Sequence, residues 1–155
     1  MVTRMNVCLG GTFYPLHKGH KALLKKAFQI AGSQGSVFIG VTSAEMAKKK
    51  GEVASFEMRK QLIERFLTDE NVLEQAIIQP LFDKFGSTLE GDFDAIVVSP
   101  ETKLTAKEIN KKRKLLGKKQ LQIIIIPFVL SEDNQPISSS RIRRKEIDEN
   151  GMLLK

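Results

Sequence analysis

The 155-residue sequence is short of several residue types, and each shortage excludes a class of protein. Its one cysteine, Cys8, cannot form an internal disulfide, which predicts a reducing, cytoplasmic environment. No apolar run exceeds four residues, as at Ile123–Ile126, whereas a membrane-spanning helix needs about 20. With 5 Pro, 11 Gly and no repeat, the chain is not collagen-like. The segment before Gly10 carries one basic residue, so it predicts a first strand rather than a signal peptide.

Aromatic residues are also few, whereas positive charge is abundant and unevenly distributed. The chain has no Trp, one Tyr and nine Phe, so a platform for base stacking is poorly supplied. The net charge of +7 divides into +7 over residues 1–50, −6 over 51–100 and +6 over 101–155. If the two basic ends meet in space, their natural partner is phosphate, on nucleic acid or on a small nucleotide. Lysine runs such as Lys111–Lys114 are also consistent with simple solvated faces.

Short apolar runs alternate with segments of helical periodicity, which predicts an α/β fold. The predicted strands are Asn6–Leu9, Ser36–Val41, Ala76–Gln79, Ala95–Val98 and Gln122–Pro127. Four of the five are almost continuously apolar, as expected of strands buried on both faces. With right-handed crossovers, this order predicts a doubly wound, Rossmann-like parallel five-stranded sheet of order 3-2-1-4-5, with helices on both faces. No linker or repeat divides the chain, so residues 1–155 are expected to form one domain. The stretch after Ser138 predicts a helix followed by a loose tail.

The turn after the first strand, Gly10–His20, contains both histidines of the chain. It matches neither the Walker phosphate loop nor the Gly-x-Gly-x-x-Gly dinucleotide pattern. If a helix begins near His17 or Lys18, the i, i+3 spacing places both imidazoles on one face of its first turn. Free backbone N–H groups and the positive end of the helix dipole would then favour a bound anion. Gly19 predicts that some group approaches the backbone closely there.

The spacing of these histidines is also consistent with two other interpretations. His17 and His20 could be surface or helix-capping residues without a chemical role. A zinc pair would need a third and a fourth ligand, and only Cys8 or distant acids are available.

Two further turns have the composition of phosphate-binding segments. Near the C-terminus, Ser138 is a suitable helix N-cap within Ile137–Arg143, where hydroxyls and an arginine could hold phosphate oxygens. The second turn, Ser99–Thr102, follows the fourth strand. Ligands of open α/β sheets bind where the strand order reverses, so this turn should face Gly10–His20 across the crevice.

Together these segments resemble a known family of small nucleotidyltransferases related to class I aminoacyl-tRNA synthetases. Gly11–His20 matches the motif Gly-Thr-Phe-Asp-Pro-x-His-x-Gly-His, and Ile137–Arg143 is similar to Ile-Ser-Ser-Thr-x-x-Arg. Val97–Thr102 and the stretch from Thr42 into the following lysines resemble the archaeal and eukaryotic type of phosphopantetheine adenylyltransferase. The resemblance extends from residue 6 to about residue 154. Tyr14 departs from the motif's aspartate, and one serine replaces its threonine.

The resemblance implies transfer of AMP from ATP to 4′-phosphopantetheine, giving dephospho-coenzyme A and pyrophosphate. It implies Mg²⁺ bound through phosphate oxygens and water without an assigned protein ligand, small-molecule substrates, and no nucleic-acid, membrane or obligate protein partner. The catalytic residues implied are Thr12, His17, Lys18 and His20. Those implied to bind ATP and its phosphates are Gly10, Gly11, Phe13, Gly19, Ser99, Glu101, Ser138, Ser139, Ser140 and Arg143. Those implied to bind the acceptor are Thr12, Lys48, Lys49 and Arg59.

Three other functions remain as alternatives. The same motifs serve transfer from ATP to nicotinamide mononucleotide, or from CTP to an alcohol phosphate. The second is disfavoured because the late Arg-Thr-x-Gly-x-Ser-Thr pattern of such cytidylyltransferases is absent. A non-enzymatic, basic nucleic-acid-binding module is the third alternative, supported by net charge alone.

Overall fold

The computed structural model describes residues 4–48 and 53–154 and contains one five-stranded parallel sheet. The strand order is β3-β2-β1-β4-β5, so the predicted order 3-2-1-4-5 is confirmed. The strands are β1 Asn6–Gly11, β2 Ser36–Thr42, β3 Ala76–Leu81, β4 Ala95–Val98 and β5 Gln122–Ile125. Every pair of neighbours is parallel, with β1 flanked by β2 and β4. The chain order reverses between β1 and β4, which opens the crevice expected at their carboxyl ends.

Helices cover both faces of this sheet. They are α1 Lys18–Ala31, α2 Ala44–Lys48, α3 Phe56–Asp69, α4 Lys103–Leu115 and α5 Ser139–Arg143. Successive side chains of a strand point to opposite faces, so β1 contributes Val7 to one core and Cys8 to the other. The first core packs α1 and α3 against the sheet through residues such as Leu24 and Ile63. The second includes the fully buried Ala106 of α4.

The structure corrects two expectations about the periphery of the fold. The apolar run of β5 is only half-buried, because β5 is an edge strand. Among the described strands, only β4 is buried at every position. The segment after α5 is not a loose tail. Ile147 is fully buried and pairs with Leu153, and the Glu149 carbonyl accepts from the Lys18 amide at the start of α1. The C-terminal segment therefore anchors the helix that carries the histidines.

Within the described part of the chain, no helix is both long enough and apolar enough to cross a membrane.

Candidate active site

A cavity of about 970 Å³ lies at the carboxyl ends of β1 and β4. Three segments line it: the turn after β1, the turn after β4, and a C-terminal portion that includes Ser138–Arg141. The two segments that resemble the motifs are therefore brought to one pocket, although they lie at opposite ends of the sequence. The volume is at the upper end of the range typical of small-molecule sites, which is about 300–1,000 Å³.

The two histidines of this cavity cap helix α1 and stack on each other. The Nδ1 atom of His17 accepts hydrogen bonds from the amides of Gly19 at 3.0 Å and His20 at 3.3 Å. The Nδ1 atom of His20 accepts in turn from the His17 amide at 3.3 Å, which completes a reciprocal capping box. Their ring centroids are 3.7 Å apart. The capping interpretation is therefore correct, but it does not exclude a chemical role.

These bonds fix which nitrogen of each neutral ring carries a proton. Because Nδ1 of both rings accepts, the proton of each neutral ring is on Nε2, which becomes a donor. Burial lowers the pKa of His17 to about 4, so this ring is neutral near pH 7. The expectation of free amides for an anion was wrong, since the amides of His17 through His20 are all occupied. An anion here would meet imidazole Nε2–H groups instead.

The close approach predicted at Gly19 is made by the His17 ring itself. A Cβ atom on Gly19 would lie 2.9 Å from Cε1 and 3.0 Å from Nδ1 of that ring. The separation from Cε1 is shorter than side chains tolerate, so the ring would have to shift. The glycine thus leaves room for the capping imidazole, and it also lines the cavity in which ATP is predicted to bind.

We expect Gly19→Ala to reduce turnover about tenfold while changing the free energy of unfolding by no more than about 1 kcal/mol. Displacing the His17 ring removes a cap whose loss costs about 0.5–2 kcal/mol, while alanine recovers roughly 1 kcal/mol of helix propensity. Steady-state rates and urea unfolding test this, with Gln29→Ala on the exposed face of α1 as the control. Wild-type turnover in Gly19→Ala would show that the position of the His17 ring is unimportant.

The lowered pKa of His17 also predicts a specific dependence of stability on pH. The unfolded ring titrates near 6.5 and the folded ring near 4, so the unfolded chain binds more protons between these values. Stability should therefore fall as the pH is lowered from about 6.5 to about 4. In His17→Asn the side-chain oxygen still caps the helix but does not titrate. Urea unfolding at pH 7 and pH 5 should therefore show a smaller loss of unfolding free energy than in the wild-type protein. Equal losses in the two proteins would contradict this assignment.

Phe13 supports the histidines from the core. Its side chain is buried, and its ring centroid lies 5.3 Å from that of His20. A Cβ on Gly11 would meet the same ring at 3.4 Å, so the Gly11 backbone lies close against it. Phe13 was predicted to bind ATP; it lines the cavity, and its ring packs against His20. Gly10 and Gly11, which were also predicted to bind ATP, line the same cavity.

The serine-rich segment begins the short helix α5 as its composition predicts. The Ser138 hydroxyl caps α5 by accepting from the Arg141 amide, and it lies 3.2 Å from the Ser140 hydroxyl. Ser139, Ser140 and Arg143 also line the cavity. Their hydroxyl and guanidinium groups supply the hydrogen-bond donors that phosphate oxygens require.

Arg141 holds this segment in place, a role that the sequence reasoning missed. Its guanidinium contacts the Asp133 carboxylate at 2.7 Å and the Glu146 carboxylate at 3.3 Å. It also donates to the Ser131 hydroxyl and the Pro136 carbonyl. One residue thus connects the loop before α5 with the loop after it. Its position inside the motif gives no local signal for this role.

Three predicted site residues do not line the cavity, and a fourth is not among the residues that the structure describes. Lys18 and Lys48 have exposed side chains and do not line the pocket. Arg59 is fully buried, so it does not face a bound acceptor as predicted. Lys49 lies outside the described residues. Ser99 and Glu101 do line the cavity, in the turn after β4.

A second cavity of about 320 Å³ meets the first at the carboxyl end of β1. Gly10, Gly11 and Thr102 line both. The second cavity lies on the α4 side of the sheet, and its walls are mostly apolar, including Leu81 and Phe93. An elongated ligand with an apolar arm would fit beside a polar one in the first cavity.

The carboxylates near the first cavity offer little to a metal ion. No group of three or more His, Cys, Asp or Glu side chains in the described ranges is arranged to hold one. Asp133 and Glu146, which line the cavity, are paired with Arg141. Glu101 lies exposed at the rim. A hard cation such as Mg²⁺ would therefore fit here through ligand oxygens and water rather than through a protein cage.

Comparison with known proteins agrees with this geometry. The cytidylyltransferase-like family model matches residues 8–145. A phosphopantetheine adenylyltransferase of Methanosarcina mazei is 46% identical over 150 residues, covering 96% of this chain and 97% of that protein. A crystal structure of an Archaeoglobus fulgidus protein of unknown function is 39% identical with a TM-score of 0.72, covering 79% of this chain and 89% of that one.

A more distant structural neighbour shares the fold alone. Tyrosyl-tRNA synthetase of Archaeoglobus fulgidus superimposes with a TM-score of 0.63 at 12% identity, over 89% of this chain and 59% of that one. The match to curated relatives covers nearly the whole chain, and the two motifs near the ends of the sequence line one pocket. Together these findings identify the family of the chain. The chain belongs to the cytidylyltransferase-like family and, within it, to the phosphopantetheine adenylyltransferases.

Proposed function

We propose that this chain transfers the adenylyl group of ATP to the phosphate of 4′-phosphopantetheine, giving dephospho-coenzyme A and pyrophosphate. The observation that carries the proposal is the convergence of His17, His20 and the Ser138–Arg143 segment on one cavity. A triphosphate bound there would have imidazole Nε2–H donors on one side and hydroxyl and guanidinium donors on the other. The relatives' shared name supports the same reaction.

The chemistry needs no protein nucleophile. An oxygen of the acceptor phosphate forms a bond to the α-phosphorus of ATP, and the bond from that phosphorus to the bridging oxygen of pyrophosphate breaks. Negative charge builds on the α-phosphate oxygens and on the leaving group, so catalysis rests on alignment and on donors placed where charge grows. We assign His20 to the α-phosphate oxygen and Ser139, Ser140 and Arg143 to the β- and γ-phosphates.

The second cavity suits the rest of the acceptor. Phosphopantetheine is a phosphate joined to a long arm with a branched aliphatic portion, two amides and a thiol. The arm would occupy the cavity beside Leu81 and α4, which places the phosphate where the two cavities meet. Thr12 borders the first cavity next to that junction. Its hydroxyl is therefore assigned to the attacking phosphate.

Mg²⁺ fits this site chiefly through triphosphate oxygens and water, with Glu101 within the turn that borders the cavity. When bound, the ion neutralises phosphate charge. The chain's own donors orient the α-phosphate and hold the leaving pyrophosphate. We further propose that the enzyme acts in the cytoplasm, where ATP is available and its lone buried thiol, Cys8, stays reduced.

Transfer of label tests the reaction directly. Incubation with ATP labelled in the α-phosphate, phosphopantetheine and Mg²⁺ should place label in dephospho-coenzyme A with one pyrophosphate released for each product. No labelled protein should accumulate, because attack is direct. A stoichiometric adenylyl-protein, or no transfer at all, would contradict the proposal.

A further inference from the structure

Two buried residues outside the segments Gly11–His20 and Ile137–Arg143 connect to Thr12. The Thr42 hydroxyl, at the end of β2, lies 3.1 Å from the Thr12 hydroxyl and donates to it. Nη1 of Arg59, from the first turn of α3, lies 3.0 Å from the Thr42 hydroxyl and 3.2 Å from the Thr12 carbonyl. Thr42 is 3% exposed and Arg59 is fully buried. Neither side chain therefore depends on solvent for its orientation.

The direction of these hydrogen bonds follows from the chemistry of the groups. An arginine guanidinium has donors and no acceptor, so Arg59 donates to Thr42. The Thr42 oxygen then has its own proton to give, and it gives it to Thr12. The Thr12 oxygen accepts that bond, so its own proton points to another acceptor. Since Thr12 borders the first cavity, its proton is available to an anionic oxygen bound there.

Stability alone does not explain the position of Arg59. Nη2 of this side chain is buried and finds no hydrogen-bond partner in the described part of the chain. A buried donor without a partner destabilises a fold. The positive charge of the Arg59 guanidinium does, however, polarise both hydroxyls. Each hydroxyl then donates its proton away from Arg59, along the row of hydrogen bonds from Arg59 through Thr42 to Thr12.

We propose that Thr42, polarised by Arg59, is a positioning residue that fixes the Thr12 hydroxyl as a donor to the attacking phosphate. Thr42 itself borders the second cavity, whereas Thr12 borders the first, so their bond spans the junction where the acceptor phosphate would lie. This inference rests on the proposed function, since it needs an acceptor phosphate at that junction. It gives Thr42 and Arg59 a role that is exerted through Thr12.

Thr42→Val tests the inference because valine has nearly the same shape but no hydroxyl. The Arg59 Nη1 donor keeps the Thr12 carbonyl as a partner in this variant. We expect kcat/KM for phosphopantetheine to fall about tenfold, the size expected for losing one hydrogen bond to a charged group. The KM for ATP should stay within about twofold of wild type, and Thr42→Ser should recover most of the loss.

A double-mutant cycle separates this role from a merely structural one. If Thr42 acts through the Thr12 hydroxyl, Thr42→Val should have almost no further effect in a Thr12→Val background. The same tenfold loss in that background would overturn the inference, as would an equal rise in the KM for ATP. Thr42→Ser as impaired as Thr42→Val would also overturn it, because packing would then be the cause.

Folding and the proposed function are checked in the same experiment. Thermal unfolding of each variant confirms that folded protein is assayed, and Thr42→Ala replaces Thr42→Val with the same expected kinetics if valine prevents folding. If the wild-type protein turns over phosphopantetheine but the losses of Thr42→Val and Thr12→Val add in the double variant, the inference is overturned and the proposed function stands. No wild-type turnover with phosphopantetheine would overturn both.

Discussion

Replacing His20 with alanine should lower kcat about 10²–10³-fold. The expected size is that measured when a single donor to developing negative charge is removed from other enzymes. His20 has its Nδ1 committed to the His17 amide, so Nε2–H is the group that it can present to the α-phosphate. Steady-state turnover with saturating ATP and phosphopantetheine checks the value, and an undiminished kcat would remove His20 from the mechanism.

His20→Glu is the matched control for the structural role of this side chain. A glutamate three residues after the N-cap can accept from the N-cap amide, so the capping box is kept. It has no donor for a phosphate and adds a like charge. We therefore expect a free energy of unfolding close to that of wild type and a kcat at least as low as that of His20→Ala. A well-folded, active His20→Glu would show that capping is all that His20 does.

Replacing Arg143 with alanine should raise the KM for ATP about 10- to 100-fold without changing the choice of acceptor. Arg143 lies in α5 and lines the first cavity beside the serine hydroxyls. Hydrogen bonds to charged groups contribute about 1.5–3 kcal/mol, and each 1.4 kcal/mol is a factor of ten. Initial rates at varied ATP, with each acceptor held constant, measure the effect.

Arg143→Lys distinguishes charge from geometry at this position. Lysine keeps the positive charge but lacks the planar fork that binds two phosphate oxygens together, so we expect it to recover only part of the ATP affinity. Lys145→Ala is a neighbouring control, because Lys145 follows α5, is exposed and does not line the cavity. A changed acceptor preference in Arg143→Ala, with the KM for ATP unaltered, would show that Arg143 serves the other substrate.

The fold was predictable because its signals are local. A buried parallel strand such as β4 is apolar throughout, whatever its neighbours are, and the alternation of strands with helices restricts the sheet to few orders. Edge strands are less distinctive. The run Ile123–Ile126 looks more buried than it is, since its exposure depends on whether another strand covers β5.

The site was predictable in its location but only partly in its chemistry. The i, i+3 spacing of the histidines is equally suited to two side chains facing a ligand and to a capping box. The extended backbone of His17, with φ −107° and ψ 176°, makes it the N-cap and places Nδ1 over the amides. No pattern in the sequence specifies those angles. The neutral state of His17 is likewise a consequence of burial in the folded chain.

No local pattern in the sequence indicates that Thr42 and Arg59 act through Thr12. Arg59 was predicted to bind the acceptor, and the structure turns it inward to Thr12 and Thr42. Thr42 lies 30 positions from Thr12 and 17 from Arg59 in the sequence. Such contacts arise from sheet order and helix packing, so they become visible only once β1, β2 and α3 are assembled.

The proposed transfer from ATP to phosphopantetheine is tested most directly by comparing acceptors and nucleotides in one assay. Pyrophosphate release is followed with ATP or CTP against phosphopantetheine, nicotinamide mononucleotide and glycerol phosphate, in the presence of Mg²⁺. We expect turnover with ATP and phosphopantetheine, and rates lower by orders of magnitude for every other pair. Preferred turnover of nicotinamide mononucleotide or of CTP would contradict the assignment of the acceptor. Salt-sensitive retention of the protein on DNA, with no pyrophosphate release from any pair, would contradict the proposal that the protein is an enzyme.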